Sequence, residues 1–399
     1  MNLILFDCHK TRTQLLPFTF TRTVADIRIG ILTIREKWEK QLNQQSFSLT
    51  EEYLQEKFPA YKGDAPAVYI NGSVLPDKKL LEEVSKLRPL EALTASGTLI
   101  AFSLQMPHLN FENFEAITKG LSIKNYEGKF LSLQHVWDIF KLNGEALKAD
   151  FDLLTAGRKS QKLSDSNKLI GSAQNLFIEE GARIEASVLN TETGVIYIGK
   201  DAEIMENCAV RGPFAMCEHA ALKMSAKIYG ATTLGPHCKV GGELNNVIMF
   251  GYSNKAHDGF IGNAVIGEWC NLGADTNNSN LKNNYSSVDV FSYSEGKVVD
   301  TGLTFCGLMM GDHSKTAINV MFNTGTVVGV SSNVFGADFP PKFIPSFSWG
   351  GTKWLRTFSL EKSVDVAEKM MERRGLKLEE VDRKILATVF EREAKFRRD

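Results

Sequence analysis

The chain has 399 residues, with 46 Lys and Arg against 47 Asp and Glu, for a net charge of −1. That balance carries neither the basic field of a nucleic-acid binder nor the charge blocks of a disordered tail. No run approaches eighteen apolar residues, so no membrane span is expected, and the first residues meet Asp7 too early, without a basic leader, for a signal peptide. Six cysteines without a C-x-x-C pair read as reduced thiols of a cytoplasmic protein with two or three domains.

Residues 3–6 form an apolar run suited to a buried parallel strand, and a polar loop follows at 7–14. Residues 29–42 read as a helix with Ile31, Ile34, Trp38 and Leu42 on one side. Further strands are expected at 67–70, ended by Asn71-Gly72, and at 99–104. Strands alternating with helices predict an α/β layer with a parallel sheet, and ligands of such sheets bind beyond the carboxyl ends of the strands. That rule points to the 7–14 loop. Arg12, Arg22, Arg28 and Lys37 lie close in sequence, balanced by Asp7, Asp26 and Glu36. Arginine suits bidentate contact with phosphate, and Arg12 and Arg22 flank the Leu-Pro turn; a solvated charged surface is the alternative. Residues 131–154 read as an amphipathic helix with Trp137 and Phe140 in the core, and 157–166 as a linker.

From 198 to 240 an aliphatic residue or Met recurs at every sixth position: Ile198, Ile204, Val210, Met216, Leu222, Ile228, Leu234 and Val240. Neither a helix nor a flat strand has that period; a triangular parallel β-helix does. Three repeats close one coil, so Ile198, Met216 and Leu234 are expected to stack on one face. Ile178 and Ile184 share the frame, which places the start near 170. The next set, Phe260, Ile266 and Leu272, implies an insertion of about two residues within 241–259, around His257. A second gap holds a polar excursion with five Asn between 277 and 284, and the frame is expected to resume at Ile318, Thr324 and Val330. A neutral imidazole is a competent general base, which singles out His257; a corner-capping histidine is the alternative.

The Pro-, Phe- and Gly-rich stretch 335–351 is not expected to continue the coil. Two helices follow, 360–374 closed by Gly375, and 378–396 with Val381, Ile385, Leu386, Val389 and Phe390 on one stripe. Together they read as a cap on the solenoid. The division is 1–155, a linker at 156–170, the β-helix at 171–335 and a loop and helical cap at 336–399.

Two stretches carry a family resemblance. Residues 5–19, with Thr11-Arg12 and Pro17-Phe18-Thr19, resemble the start of the sugar-phosphate nucleotidyltransferases, L-A-x-G-x-G-T-R-L-x-P-x-T. Residues 16–30 resemble the short nucleotidyltransferase-like domain of the GlmU-type proteins of Bacteroidetes, which carry a hexapeptide domain behind it. The fold this implies is an α/β nucleotidyltransferase-like domain plus a left-handed parallel β-helix with C-terminal helices. The implied function is a bifunctional UDP-N-acetylglucosamine diphosphorylase and glucosamine-1-phosphate N-acetyltransferase. Alternatives are a glucose-1-phosphate thymidylyltransferase, or a hexapeptide scaffold without acetyl transfer. Substrates would be a sugar-1-phosphate, UTP or dTTP, and acetyl-CoA, with Mg²⁺ for nucleotidyl transfer, in a homotrimer.

The resemblance also assigns residues. Arg12, Arg22, Asn71 and Gly72 would hold the nucleotide. The family's glycines fall at Cys8 and Lys10, and its metal-binding Gly-Asp at Gly72-Ser73, which leaves Asp7 or Asp77 for Mg²⁺. Residues 255–262 resemble K-A-x-H-x-x-Y-x-G of the amino-sugar N-acetyltransferases, with His257 as the base and Phe260 in place of Tyr. Residues 266–274 resemble I-G-x-x-x-N-I-G-A, with Asn271 on the sugar and Ala274 meeting the acetyl carbonyl of acetyl-CoA. Asn254, Lys255, His313, Lys315 and Arg211 would complete the sugar-phosphate site, while a phosphate-contacting Lys of the family corresponds to Asn245.

Overall fold

The apolar run at the start of the chain becomes β1 (Asn2–Phe6), buried from Leu3 onward. In the computed structural model, which describes residues 2–105 and 109–397, β1 lies between β2 (Ser46–Leu49) and β3 (Ala67–Asn71), parallel to both. The sheet continues through β5 (Thr98–Leu104) and β4 (Glu91–Ala95) to β6 (Ser122–Asn125). It is mixed rather than parallel: β5 runs antiparallel to β3 and β4. The cause is local. Ser96 and Gly97 both take positive φ (47° and 77°), a two-residue turn whose twist suits a hairpin. Around the sheet lie α1 (His9–Gln14), α2 (Ile34–Leu42), α3 (Lys78–Ser85) and α4 (Phe114–Thr118). One side is filled by Ile4, Phe6, Tyr69, Phe102 and Phe114, with the Tyr69 and Phe102 rings stacked at 4.6 Å. The helix expected from residue 29 starts at Ile34, where Thr33 and Glu36 form a reciprocal capping box. His108 lies outside the described residues.

This first compact unit runs up to Leu15, then takes Thr21–Ile27 and Leu32–His135. The second takes Leu16–Phe20, Arg28–Ile31 and Val136 onward. The expected 131–154 helix is two helices, α5 (Asp138–Lys141) and α6 (Asn143–Thr155), and they pack on the solenoid. Fully buried Asn143 explains the attachment: its amide donates to the Ala231 carbonyl (2.9 Å) and Thr233 Oγ1 (3.1 Å) and accepts from the Gly30 N–H (2.7 Å). Trp137 and Phe140 are buried, as their pattern predicts. The 157–166 stretch lies on the first coil, with Arg158 paired to Glu179 and Ser160 accepting from the Ile178 N–H.

The rest of the second unit is a parallel β-helix of two- and three-residue strands, lengthening to nine in the two strands that flank the His257 loop. Ile178, Ile198, Met216 and Leu234 stack in register along one face. The column continues through Met249, Ile266, Met310, Val328 and Ile344. A second inner column runs Ile184, Ile204, Leu222, Val240. These residues form one continuous buried core. A third column, Leu189–Val210–Ile228–Leu244, closes the prism.

Three features of the expected frame change. No insertion surrounds His257. Leu234 pairs with Met249 and Met249 with Ile266, steps of fifteen and seventeen residues where the two steps before them, Ile198 to Met216 and Met216 to Leu234, are eighteen. The long strands Glu243–Gly251 and Phe260–Glu268 run through a corner that earlier coils turn with extra residues. Phe260 therefore faces outward, and Ile261 takes the inner position against Leu244. The true insertion comes later: Ile266 pairs with Met310, and the excursion carries an antiparallel hairpin of Asp289–Ser292 with Lys297–Asp300. The frame resumes at Met310, Thr316, Phe322, Val328 and Val334, all buried, whereas Ile318 is 65% exposed. Finally, the Pro-rich stretch does continue the solenoid: Phe343–Ile344 pairs with Val327–Val328, and Ser348–Gly350 with Asn333–Val334.

Two helices follow, α7 (Leu360–Glu372) and α8 (Glu380–Arg392), separated by Gly375 at φ 71°. Phe390 meets Phe347 edge-on, and Phe396 joins Phe291, Tyr293 and Phe343, so this end covers the last coil and the inserted hairpin. Among the described residues no helix is long and apolar enough to cross a membrane.

Candidate active site

In the first unit the singled-out residues hold one another. The 7–14 segment is a helix from His9, not an open loop, and Thr11 and Arg12 are buried within it. Arg12 donates to Asp7 (2.9 Å), Glu51 (3.0 Å), the Tyr53 hydroxyl (2.9 Å) and the Arg22 carbonyl (3.1 Å). Burial opposes its charge, yet Tyr53, Asp7 and Glu51 together hold the guanidinium above its usual value. Asp7 also accepts from Thr50 Oγ1 (2.5 Å) and the Val24 N–H (2.8 Å), and burial pushes its carboxyl up. Arg22 is buried in the same unit, whereas Arg28 belongs to the second, where it donates to the Phe250 carbonyl. Asn71 ends β3, giving its amide to the Leu99 carbonyl and accepting from Ser73. Gly72 lies so tightly under Ala25 that an added Cβ would sit 3.0 Å from that backbone nitrogen. Asp77 caps α3 by accepting from the Leu80 N–H.

These contacts do not fit a Mg²⁺ site. Asp7 spends its oxygens on internal donors and is 1% exposed; Asp77 spends its carboxylate on a helix cap; Ser73 is no carboxylate. Among the described residues no group of three His, Cys, Asp or Glu side chains could hold a metal ion.

In the solenoid the outcome differs. Asn254, Asn271 and Lys315 occupy equivalent outward positions on three successive coils. Asn254 Nδ2 donates to Asn271 Oδ1 at 3.3 Å. His257 and Ala274 each come three residues after a paired asparagine, so they too sit at matching positions on adjacent coils. The bond from the Asp275 N–H to the Asp258 carbonyl (2.9 Å) continues that register. His257 is exposed and Ala274 half-buried. The Ala274 N–H donates to no group among the described residues, which leaves a backbone donor at the position that matches His257 on the next coil. Gly273 precedes Ala274; a Cβ there would strike the Ala317 carbonyl oxygen at 2.4 Å, so only glycine lets the next coil come this close.

Lys255 does not face this surface. It follows Val240 in the inner apolar column and is 1% exposed. Its ammonium donates to the carbonyls of His257 and Asp258, both at 2.5 Å, tying down the loop that carries the base. Burial lowers it to about 8, against the opposing pull of Asp258 and Asp275. Lys315 donates to the His313 carbonyl (2.7 Å) and is likewise pushed down by burial to about 8. His313 belongs to a corner. It ends a ladder of stacked rings, His219, His237, Tyr252, Trp269 and His313, all at φ 54–60°. Arg211 lies on another face, in a groove of 690 Å³ with Asn190, Lys227, Tyr229 and Glu243. Asn245 shares that face, paired with Tyr229 and Gly262.

Sequence reasoning missed two cations beside the asparagines. Lys239 precedes Asn254 in the same outward column. Arg374, at the end of α7, donates to Asn254 Oδ1 at 3.0 Å. Lys239 follows from the six-residue frame once the outward positions are read as well as the inward ones. Arg374 carries no such signal, since a basic pair before a C-terminal glycine reads as ordinary helix capping.

The two units are thus a mixed α/β domain and a hexapeptide-type parallel β-helix bearing an exposed histidine at a position matching a backbone N–H without a partner among the described residues. Residues 3–159 match the family profile described as sugar nucleotidyl transferase. The chain is 27% identical over 226 residues to the "Bifunctional sugar-1-phosphate nucleotidylyltransferase/acetyltransferase" of Sulfurisphaera tokodaii, covering 56% of this chain and 49% of that protein. It is 26% identical over 152 residues to the "Bifunctional protein GlmU" of Picosynechococcus sp., covering 37% and 27%. This chain spans half or less of the length of these relatives. Among solved structures, an Arabidopsis UDP-N-acetylglucosamine acyltransferase aligns at 14% identity over 54% of this chain and 78% of its own, with a TM-score of 0.23.

Proposed function

We propose that the solenoid transfers an acetyl group from acetyl-CoA to the amine of an amino-sugar phosphate, and that the first unit belongs to nucleotidyl transfer on a sugar-1-phosphate. The observation that carries the first part is that His257 and Ala274, whose N–H has no partner among the described residues, hold matching positions on adjacent coils, each three residues after the paired Asn254 and Asn271. Acetyl transfer needs those parts. The amine nitrogen attacks the thioester carbonyl, its proton passes to His257 Nε2 or Nδ1, and the coenzyme thiolate leaves and is protonated. The oxyanion formed on the way is met by the Ala274 N–H. Asn254 and Asn271 orient the sugar.

Support for nucleotidyl transfer is the family profile over 3–159 and the bifunctional relatives. UTP and dTTP are both candidate donors, so a glucose-1-phosphate thymidylyltransferase activity stands as the second reading. Mg²⁺ belongs to that chemistry in the resembling family, but Asp7 and Asp77 do not fit it, so no step is routed through a metal. A homotrimer fits the exposed apolar side chains Met224 (66%) and Ile318 on the solenoid, and a cytoplasmic setting fits the six free thiols.

A coupled assay with glucosamine-1-phosphate, acetyl-CoA and UTP or dTTP tests both halves, scored separately for coenzyme A and pyrophosphate. Release of coenzyme A that requires the amino sugar is expected. A chain that releases none at saturating substrates is not an acetyltransferase for this class.

A further inference from the structure

Arg374 stands next to Gly375, whose left-handed backbone turns α7 back toward α8. The turn delivers its guanidinium to Asn254, and Asn254 in turn holds Asn271. Lys239 lies one coil before Asn254 in the same column. Lys223 lies one coil earlier again, two residues further along the strand, and among the described residues its ammonium bonds only to the Met205 sulfur, at 4.0 Å. Arg374, Lys239 and Lys223 are all partly buried, and none makes an ion pair with a carboxylate among the described residues.

Their charges are felt by their neighbours. The Lys239 ammonium is held below its usual value first by Arg374, then by burial and by Lys223. His237 is held down by burial, then by His219 and Arg374. The carboxylates that act on these groups, Glu203 on Lys239 and Glu218 on His237, do so at longer range and do not cancel the effect. Glu203 stands two coils before Lys239 in the same column, paired there with Arg183, while the positions next to Lys239 are Ala221 and Asn254. Cations gathered with no carboxylate bonded to them among the described residues are an arrangement an anion relieves. Asn254 fixes one N–H of the Arg374 fork, and its remaining donors suit the oxygens of a phosphomonoester. From Asn254 to His257 is three residues, at most roughly 10 Å along the chain, short enough for one hexosamine phosphate to reach both ends.

We propose that Arg374, with Lys239, binds the phosphate of the amino-sugar substrate, so that the C-terminal helical pair is a specificity element and not only a cap. The proposal rests on the acetyl-transfer reading for the identity of the sugar, but the anion subsite can be tested without turnover.

The experiment is equilibrium binding by calorimetry of glucosamine-1-phosphate, glucosamine and inorganic phosphate to the full chain and to Arg374→Gln, Arg374→Lys and Lys239→Gln. Arg374→Gln should weaken glucosamine-1-phosphate and inorganic phosphate at least tenfold and leave glucosamine unchanged, with Arg374→Lys recovering part of the loss. Lys239→Gln, which leaves α7 untouched, should show the same discrimination, and it decides the matter if Arg374→Gln loosens the helices. In turnover the loss should fall on KM, with kcat within about threefold, as for a contact kept in ground and transition states. The proposal is overturned if the phosphorylated and unphosphorylated sugars weaken together, if both variants bind glucosamine-1-phosphate like wild type, or if wild type binds neither phosphate. Binding at Arg374 without release of coenzyme A would instead remove the acetyl-transfer reading and leave the subsite standing.

Discussion

The Arg12 guanidinium donates to the Asp7 carboxylate at 2.9 Å, with the two side chains 4% and 1% exposed. Truncating one partner of such a pair strands a buried charge and costs about 3–5 kcal/mol, whereas replacing both is far cheaper. Arg12→Ala should therefore lower the unfolding free energy of the first unit by that order, read from the fall of its urea midpoint, and the double variant with Asp7→Asn should recover much of it. A midpoint unchanged in Arg12→Ala would mean that this arginine is free for another task, nucleotide contact included. Any loss of pyrophosphate release in Arg12→Ala has to be judged against this loss of fold.

His257 calls for the opposite outcome. Its side chain is exposed and fills no core position, so His257→Ala should leave the melting temperature within about 1 °C, as a ΔΔG near zero implies. General base catalysis is worth about 10²–10⁴ in rate, and acetyl transfer should fall by that factor. A variant that keeps more than about half of the wild-type kcat would place the base elsewhere.

The inner columns of the solenoid were legible because each buried residue repeats one physical requirement, an apolar side chain at the same point of every coil. Ile198, Met216 and Leu234 announced themselves for that reason. Where the requirement is met by an unexpected residue, the frame misleads. Lys255 sits where Val240 predicts an apolar side chain, because its ammonium finds two carbonyls at the open end of the loop. Ile318 looked like the resumption of the core and is exposed, since the step from Ile266 to Met310 shifts the phase. The antiparallel β5 depended on Ser96-Gly97, a turn signal too short to outweigh the alternation of strands and helices. The site face was legible only through a motif resemblance; Arg374 was not legible at all, being brought to Asn254 across 120 residues of chain.

Lys255 itself gives a separable prediction. Its folded value, lowered by burial to about 8, lies below that of the unfolded chain, 10.5. The unfolded state thus binds more protons in that window, and stability should rise as pH climbs from about 8 toward 10.5. Lys255→Met should flatten that rise. At neutral pH it should cost little or even stabilise, because an apolar residue suits the column and the exposed His257 and Asp258 carbonyls can return to water. The loop would lose its anchor, so acetyl transfer should drop about tenfold while the melt does not. A variant as active as wild type would show that the anchored loop is not needed to place His257.

The last test concerns the C-terminal helices. Glu393 closes α8, is 2% exposed, and accepts from Ser346 Oγ at 3.2 Å in the last coil. Tyr293 of the inserted hairpin faces the same carboxyl, and Lys395 is the nearby cation. Burial raises Glu393 from 4.5 to about 7, more than Ser346, Tyr293 and Lys395 lower it. With the folded value above the unfolded one, the folded chain holds the extra proton between those limits. Stability contributed by the neutral acid is therefore complete below about 4.5 and is lost as pH rises to about 7. The cap should hold the last coil more firmly in mild acid than in mild base. Glu393→Gln keeps a polar partner for Ser346 and cannot ionise, so it should lose this slope and resist proteolysis of the helical pair better than wild type at about pH 8. The measurement is the difference in melting temperature between wild type and Glu393→Gln, followed from about pH 5 to about pH 8. A difference that stays constant across that range would show that Glu393 does not titrate there.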